Sequence, residues 1–72
     1  MSFKSDNFQR IKDAIHQVDK ICDFKVDFNE GKMLAYTKDL TKVDAIKKVL
    51  FSINVSFTEE HTTGVKKFNV KL

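Results

Sequence analysis

The chain has no proline, no tryptophan, one cysteine and only two glycines, Gly31 and Gly64, among its 72 residues. Each shortage excludes something. One cysteine, Cys22, rules out an internal disulfide, so the fold must rest on packing. Two isolated glycines rule out a glycine-rich phosphate loop. Nothing approaches the ~20 consecutive apolar residues of a membrane span. The opening "MSFKSDNF" has no apolar segment of the signal-peptide kind, and a cytoplasmic protein is expected. An "NVS" triplet at 54–56 matches a glycosylation sequon and, without a secretory signal, is taken as chance. Linkers and low-complexity segments are also missing, so residues 1–72 are expected to form one domain.

Seven phenylalanines supply much of the core material. A chain of this length buries only roughly 60% of its unfolded surface, so the core is small. The formal charge is +3. Residues 1–36 carry six basic and six acidic groups, and residues 37–72 carry seven and four. So mild an excess permits a nucleic-acid partner without requiring one.

The pattern of apolar residues gives the elements. Phe8, Ile11, Ile15, Val18 and, at the margin, Ile21 recur at helical spacing, which predicts a helix over about 6–20 with Ser5 or Asp6 as its cap. Phe24, Val26 and Phe28 alternate with Lys25 and Asp27. "NEGK" supplies a turn, and "KMLAYT" returns, so a β-hairpin is expected. The facing of the return strand is open: Met33 and Ala35 point one way, Leu34 and Tyr36 the other. Val43, Ile46, Val49, Leu50 and Ile53 form the stripe of a second helix over about 42–53, with Thr41 and Asp44 as a capping box. Val55 and Phe57 begin a third strand, "EEHTTG" reads as a turn, and Phe68, Val70 and Leu72 alternate along a fourth. The order α-β-β-α-β-β implies an α+β two-layer sandwich, with both helices on one face of an antiparallel sheet.

The run from Phe8 to Ile53, about two thirds of the chain, resembles the heavy-metal-associated domains of copper chaperones and copper-pumping ATPases. The likeness lies in the spacing of Phe8, Ile11, Ile15, Val18 and Ile21, then Phe24, Val26 and Phe28, then "KMLAYTKDL" and "VDAIKKVLFSI". It implies a ferredoxin-like fold. Two features depart from the family. Its M-x-C-x-x-C loop holds Cu(I) with two thiolates. Here Lys4 and Asn7 stand at those two positions, and Cys22 is expected at the far end of the helix, about 20 Å away. No metal or cofactor is therefore expected.

The family's first strand is also missing, because Met1 falls where the metal loop would begin. In the ferredoxin-like order 4-1-3-2 that strand is central. Residues 66–72, antiparallel beside 54–58, can fill the vacancy, which makes the chain a circularly permuted domain with Leu72 near Met1. The other arrangement is an unpermuted fold with a short strand at Ser2–Lys4 and an extra edge strand at the C-terminal end.

No catalytic grouping stands out. Cys22 reads as a small buried residue and His16 and His61 as surface residues without catalytic partners, so the protein is expected not to be an enzyme. Two surfaces remain. The resemblance implies docking through the metal-loop end, where Phe3, Lys4, Ser5 and Asn7 would form a protein contact; a homodimer through an exposed strand edge is the related expectation. The alternative is nucleic-acid binding on the open sheet face through Lys25, Tyr36, Lys38, Lys67 and Lys71. That face offers a single aromatic, where base-stacking sheets use two or three.

Overall fold

The computed structural model describes residues 3–72. Two helices, α1 (Phe3–His16) and α2 (Val43–Ser52), accompany four strands: β1 (Asp23–Asp27), β2 (Lys32–Thr37), β3 (Phe57–Thr62) and β4 (Val65–Lys71). The strands form one antiparallel sheet in the order β1-β2-β4-β3. The α+β class and the α-β-β-α-β-β order are as the sequence implies.

β4 is paired along both sides. Val70 lies opposite Met33 of β2 and opposite Phe57 of β3; Phe68 lies opposite Ala35 and Glu59. An extra edge strand at the C-terminal end is therefore not what the chain forms. Phe3 and Lys4 belong to α1, so the short strand expected at Ser2–Lys4 is absent from those two residues, and Ser2 lies outside the described residues. Met1 lies outside them too. The nearest described landmark is Lys4, whose side chain reaches to 3.5 Å from where a Cβ on Gly31 would sit. The Gly31 carbonyl accepts the Leu72 N–H at 2.8 Å, so the first turn of α1 and the end of β4 meet at one glycine.

The core is the layer between the sheet and the helices. Ile11 and Ile15 of α1, Ile46 and Leu50 of α2, Met33 and Ala35 of β2, and Phe68 and Val70 of β4 are fully or almost fully buried. The open facing of β2 is thereby settled: Met33 and Ala35 turn to the helices, Leu34 and Tyr36 to the other side. α1 covers β1, where the Phe8 ring meets Phe24 and Phe28 edge-on. α2 covers β3 and β4, where Phe51, Phe57 and Phe68 form a chain of edge contacts.

Several boundaries differ from the sequence expectation, each for a local reason. α1 stops at His16, not near 20, because the Ile15 carbonyl accepts from both Val18 and Asp19 and tightens the last turn. Ile21 consequently leaves the apolar stripe and is 76% exposed. Ser5 and Asp6 lie within α1, and the Gln9 amide donates to Asp13. The second helix is entered through a 3-10 turn, Leu40–Lys42. Its cap is Asp39, whose Oδ1 accepts the Thr41 N–H at 3.0 Å; the expected Thr41–Asp44 box is not used. α2 ends where Asn54 takes a left-handed φ of 60°, a conformation asparagine tolerates at helix ends.

The second hairpin is longer than expected. Glu59, Glu60 and His61 are strand residues, and only Thr63 and Gly64 make the turn, with Gly64 at φ 71°. β4 therefore pairs with 57–62, and of the expected segment 54–58 only Phe57 and Thr58 belong to that ladder. Below Phe57 the pairing continues by one bond, from the Lys71 N–H to the Ser56 carbonyl.

Candidate functional site

The sheet face turned away from the helices is built in rows, because antiparallel pairing puts directly opposed residues on the same side. One row runs Asp23, Tyr36, Lys67, Glu60; the next runs Lys25, Leu34, Asn69, Thr58; the third runs Asp27, Lys32, Lys71. Tyr36 sits on an inner strand between two lysines. Lys67 Nζ lies 5.7 Å from its ring centroid and Lys25 Nζ 5.9 Å, both within cation–π range. Lys25 comes from β1 and Lys67 from β4, so the two strands flanking β2 each send one ammonium over the same ring.

Of the five residues proposed for a nucleic-acid face, three therefore gather: Lys25, Tyr36 and Lys67. Lys38 lies just past the end of β2, at the rim of the shallow groove that Ile21, Lys25, Tyr36, Val65 and Lys67 also line. Lys71 is four residues along β4 from Lys67, about 13 Å away, and belongs to the opposite end of the face. Asp23 and Glu60 occupy the same row as Tyr36, a feature that needed the strand register to be seen. The exposed Ile21 at the rim became visible only once the true end of α1 was known.

The protein-contact residues Phe3, Lys4, Ser5 and Asn7 all lie in the first two turns of α1. Phe3 is 88% exposed. Lys4 lays its alkyl stem against Gly31, and Asn7 is half-buried. Phe51, 69% exposed, belongs to the same end of the molecule: its ring meets Phe57, which pairs with Val70, two residues from Leu72 and its bond to Gly31.

At the opposite end lies a polar cluster that sequence reasoning missed. Asp19, 4% exposed, accepts the Thr37 hydroxyl hydrogen at 2.6 Å and the Ile21 N–H at 3.2 Å. Thr37 in turn accepts the Asp39 N–H at 3.2 Å. His16 Nε2 is 3.3 Å from the Cys22 carbonyl oxygen, which places its proton on that nitrogen, and the ring meets Phe24 edge-on. The histidine is thus half-buried and bonded, where a plain surface residue was expected. Cys22 is buried, and burial, helped by the Asp19 charge, pushes its thiol up to about 12, far from thiolate chemistry. The cluster joins the end of α1 to the end of β2 and the start of the 3-10 turn.

On the helix side of the sheet, Glu59 bridges Lys47 of α2 at 2.9 Å and Lys66 of β4 at 2.8 Å. The two lysines hold its carboxyl below the usual range, Lys66 by the larger share. His61, directly opposite Lys66 of this bridge, is exposed on β3. Among the described residues, no three His, Cys, Asp or Glu side chains gather in a way that could hold a metal ion, and no helix is long and apolar enough to cross a membrane. No family model, no curated protein and no solved structure matches this chain.

Proposed function

We propose that the chain is a non-catalytic protein-interaction module on a ferredoxin-like scaffold of the heavy-metal-associated type, circularly permuted and without the family's thiolates. The strand order β1-β2-β4-β3 supports the permuted scaffold, since 4-1-3-2 becomes this order when the first strand is supplied from the C-terminal side. Lys4 and Asn7 in the opening turns of α1 support the loss of copper chemistry, because neither side chain is a soft ligand. A buried free thiol agrees with a cytoplasmic setting.

The observation that carries a protein contact is Phe3. A large aromatic side chain, 88% exposed on a formed helix turn, gains little by staying in water and much by entering a partner's pocket. A photo-cross-linking residue at position 3, used in the native cells, tests it. One discrete cross-linked protein is expected, lost on Lys4→Glu and absent when the probe stands at position 29. Equal cross-linking at both positions overturns the proposal. Tight Cu(I) uptake by the purified chain overturns its metal-free half.

The rival function, nucleic-acid binding, rests on the two lysines over Tyr36. Asp23 and Glu60 in the same row weigh against it, as does a ring whose surroundings are already occupied by the protein's own cations. Oligonucleotide binding that falls steeply with salt and is lost on Tyr36→Ala would favour this rival.

A further inference from the structure

β1 is an edge strand. Among the described residues it pairs only with β2, which leaves its outer side without a strand. Its five residues, Asp23-Phe24-Lys25-Val26-Asp27, carry acid, base, acid on the open face and two half-buried apolar side chains on the helix face. We propose that a second copy of this chain adds to this edge, β1 against β1, antiparallel and centred on Val26, so that two four-stranded sheets become one of eight strands. The contact uses a different surface from Phe3 and stands whether or not Phe3 binds a partner.

Charge selects both the edge and the centre. A two-fold axis normal to the sheet keeps open face with open face, so directly opposed residues share a side. Centring on Lys25 would set Lys25 on Lys25 and Asp23 on Asp27, like charges throughout. Moving the centre to Val26 converts this into two Lys25–Asp27 pairs, with Val26 on Val26 and Phe24 facing Phe28 of the second copy. Phe28 is 41% exposed and has apolar surface left to cover. Centring on Phe24 also matches charges, Lys25 with Asp23, but sets Val26 opposite Cys22, which is already buried in its own core.

The other edge, β3, is poorly suited. Centring on Glu60 or Glu59 sets a glutamate against itself, and Glu59 is already held by Lys47 and Lys66. A β1–β3 contact that matched Lys25 with Glu60 would place Val26 against Glu59. It would also leave free edges at both ends and grow without closing.

A five-residue edge makes an interface below the ~1,200 Å² of a standard complex, so association is weak. Sedimentation equilibrium of the full chain at low salt, up to about 1 mM, reads it. The average mass is expected to rise toward two chains. Lys25→Glu, at an exposed position, weakens association about tenfold, and Asp27→Lys does the same. The combined Lys25→Asp, Asp27→Lys variant restores it, while Asp23→Lys leaves it unchanged. Circular dichroism checks that each variant folds. Should Asp27→Lys loosen the turn, where Asp27 accepts the Glu30 N–H, Lys25→Glu and Asp23→Lys decide between them. A monomer at about 1 mM, a dimer indifferent to Lys25→Glu, loss on Asp23→Lys, or masses beyond two chains each overturn the proposal.

Discussion

Thr37 donates its hydroxyl hydrogen to Asp19 Oδ2 at 2.6 Å, across 18 residues of chain, and both side chains are buried. A carboxylate placed there must be satisfied by donors, and Thr37 and the Ile21 N–H are the ones it has. Thr37→Val keeps the shape and removes one donor. It should lower the unfolding free energy by about 1.5–3 kcal/mol, the range for hydrogen bonds to charged groups, as urea denaturation would measure. An unchanged midpoint would mean that water replaces the hydroxyl at no cost.

Phe68 is fully buried on the strand with neighbours on both sides. Phe68→Ala should cost on the order of 3–5 kcal/mol, enough to unfold much of a domain this small. A loss below about 1 kcal/mol would place the ring at a frayed edge and contradict the pairing of β4.

The Lys47–Glu59–Lys66 bridge gives stability an acid limb. Its contribution is complete above the ordinary glutamate value of 4.5 and is lost as the pH falls through the lower folded-state value. Asp39, held down chiefly by the Thr41 hydroxyl and N–H, adds to the same limb below its ordinary 3.8. Lys47 acts with the opposite sign: raised by Glu59, it keeps its contribution at neutral pH and loses it only on passing above its ordinary 10.5. The Glu59 and Lys47 side chains are about one third exposed, so screening keeps the effect small. Urea midpoints measured between pH 6 and 3 should fall less in Glu59→Gln than in the parent chain, and high salt should narrow the difference.

Cys22 should be close to inert in the folded state. With burial pushing its thiol up to about 12, almost none of it is thiolate at pH 8, and the sulfur is buried as well. Reaction with a disulfide reagent should be slow in buffer and fast in concentrated urea. Rapid labelling in buffer would show that the 17–22 segment opens readily.

The strongly periodic parts were legible before any coordinates. Phe68 and Val70 announced a half-buried strand, and Ile11, Ile15, Ile46 and Leu50 announced the helix stripes. "KMLAYT" could not declare its face, because Met33, Leu34, Ala35 and Tyr36 are all compatible with burial; the register with β4 decided it. Ile21 continued the helical spacing past the point where the Ile15 carbonyl had already closed the helix. Glu59, Glu60 and His61 read as a turn because they are polar, yet an edge strand tolerates charge and Glu59 has two lysines to meet. Tyr36 and its lysines were found by alternation alone. Their acidic row-mates, Asp23 and Glu60, were not, since a row is a property of three separate pairings. Asp19 was invisible because nothing local marks a carboxylate whose partner lies 18 residues away.

The central strand is also the last of the four to be synthesised. On the ribosome, β2 and β3 emerge with no inner neighbour, and the first hairpin must wait with one flank of β2 unsatisfied until residues 65–71 clear the exit tunnel. A nascent chain of this kind cannot close its sheet in instalments. Closure comes late and in one step, when the last of the four strands joins, and until then the inner flanks of β2 and β3 are open to pairing with another chain.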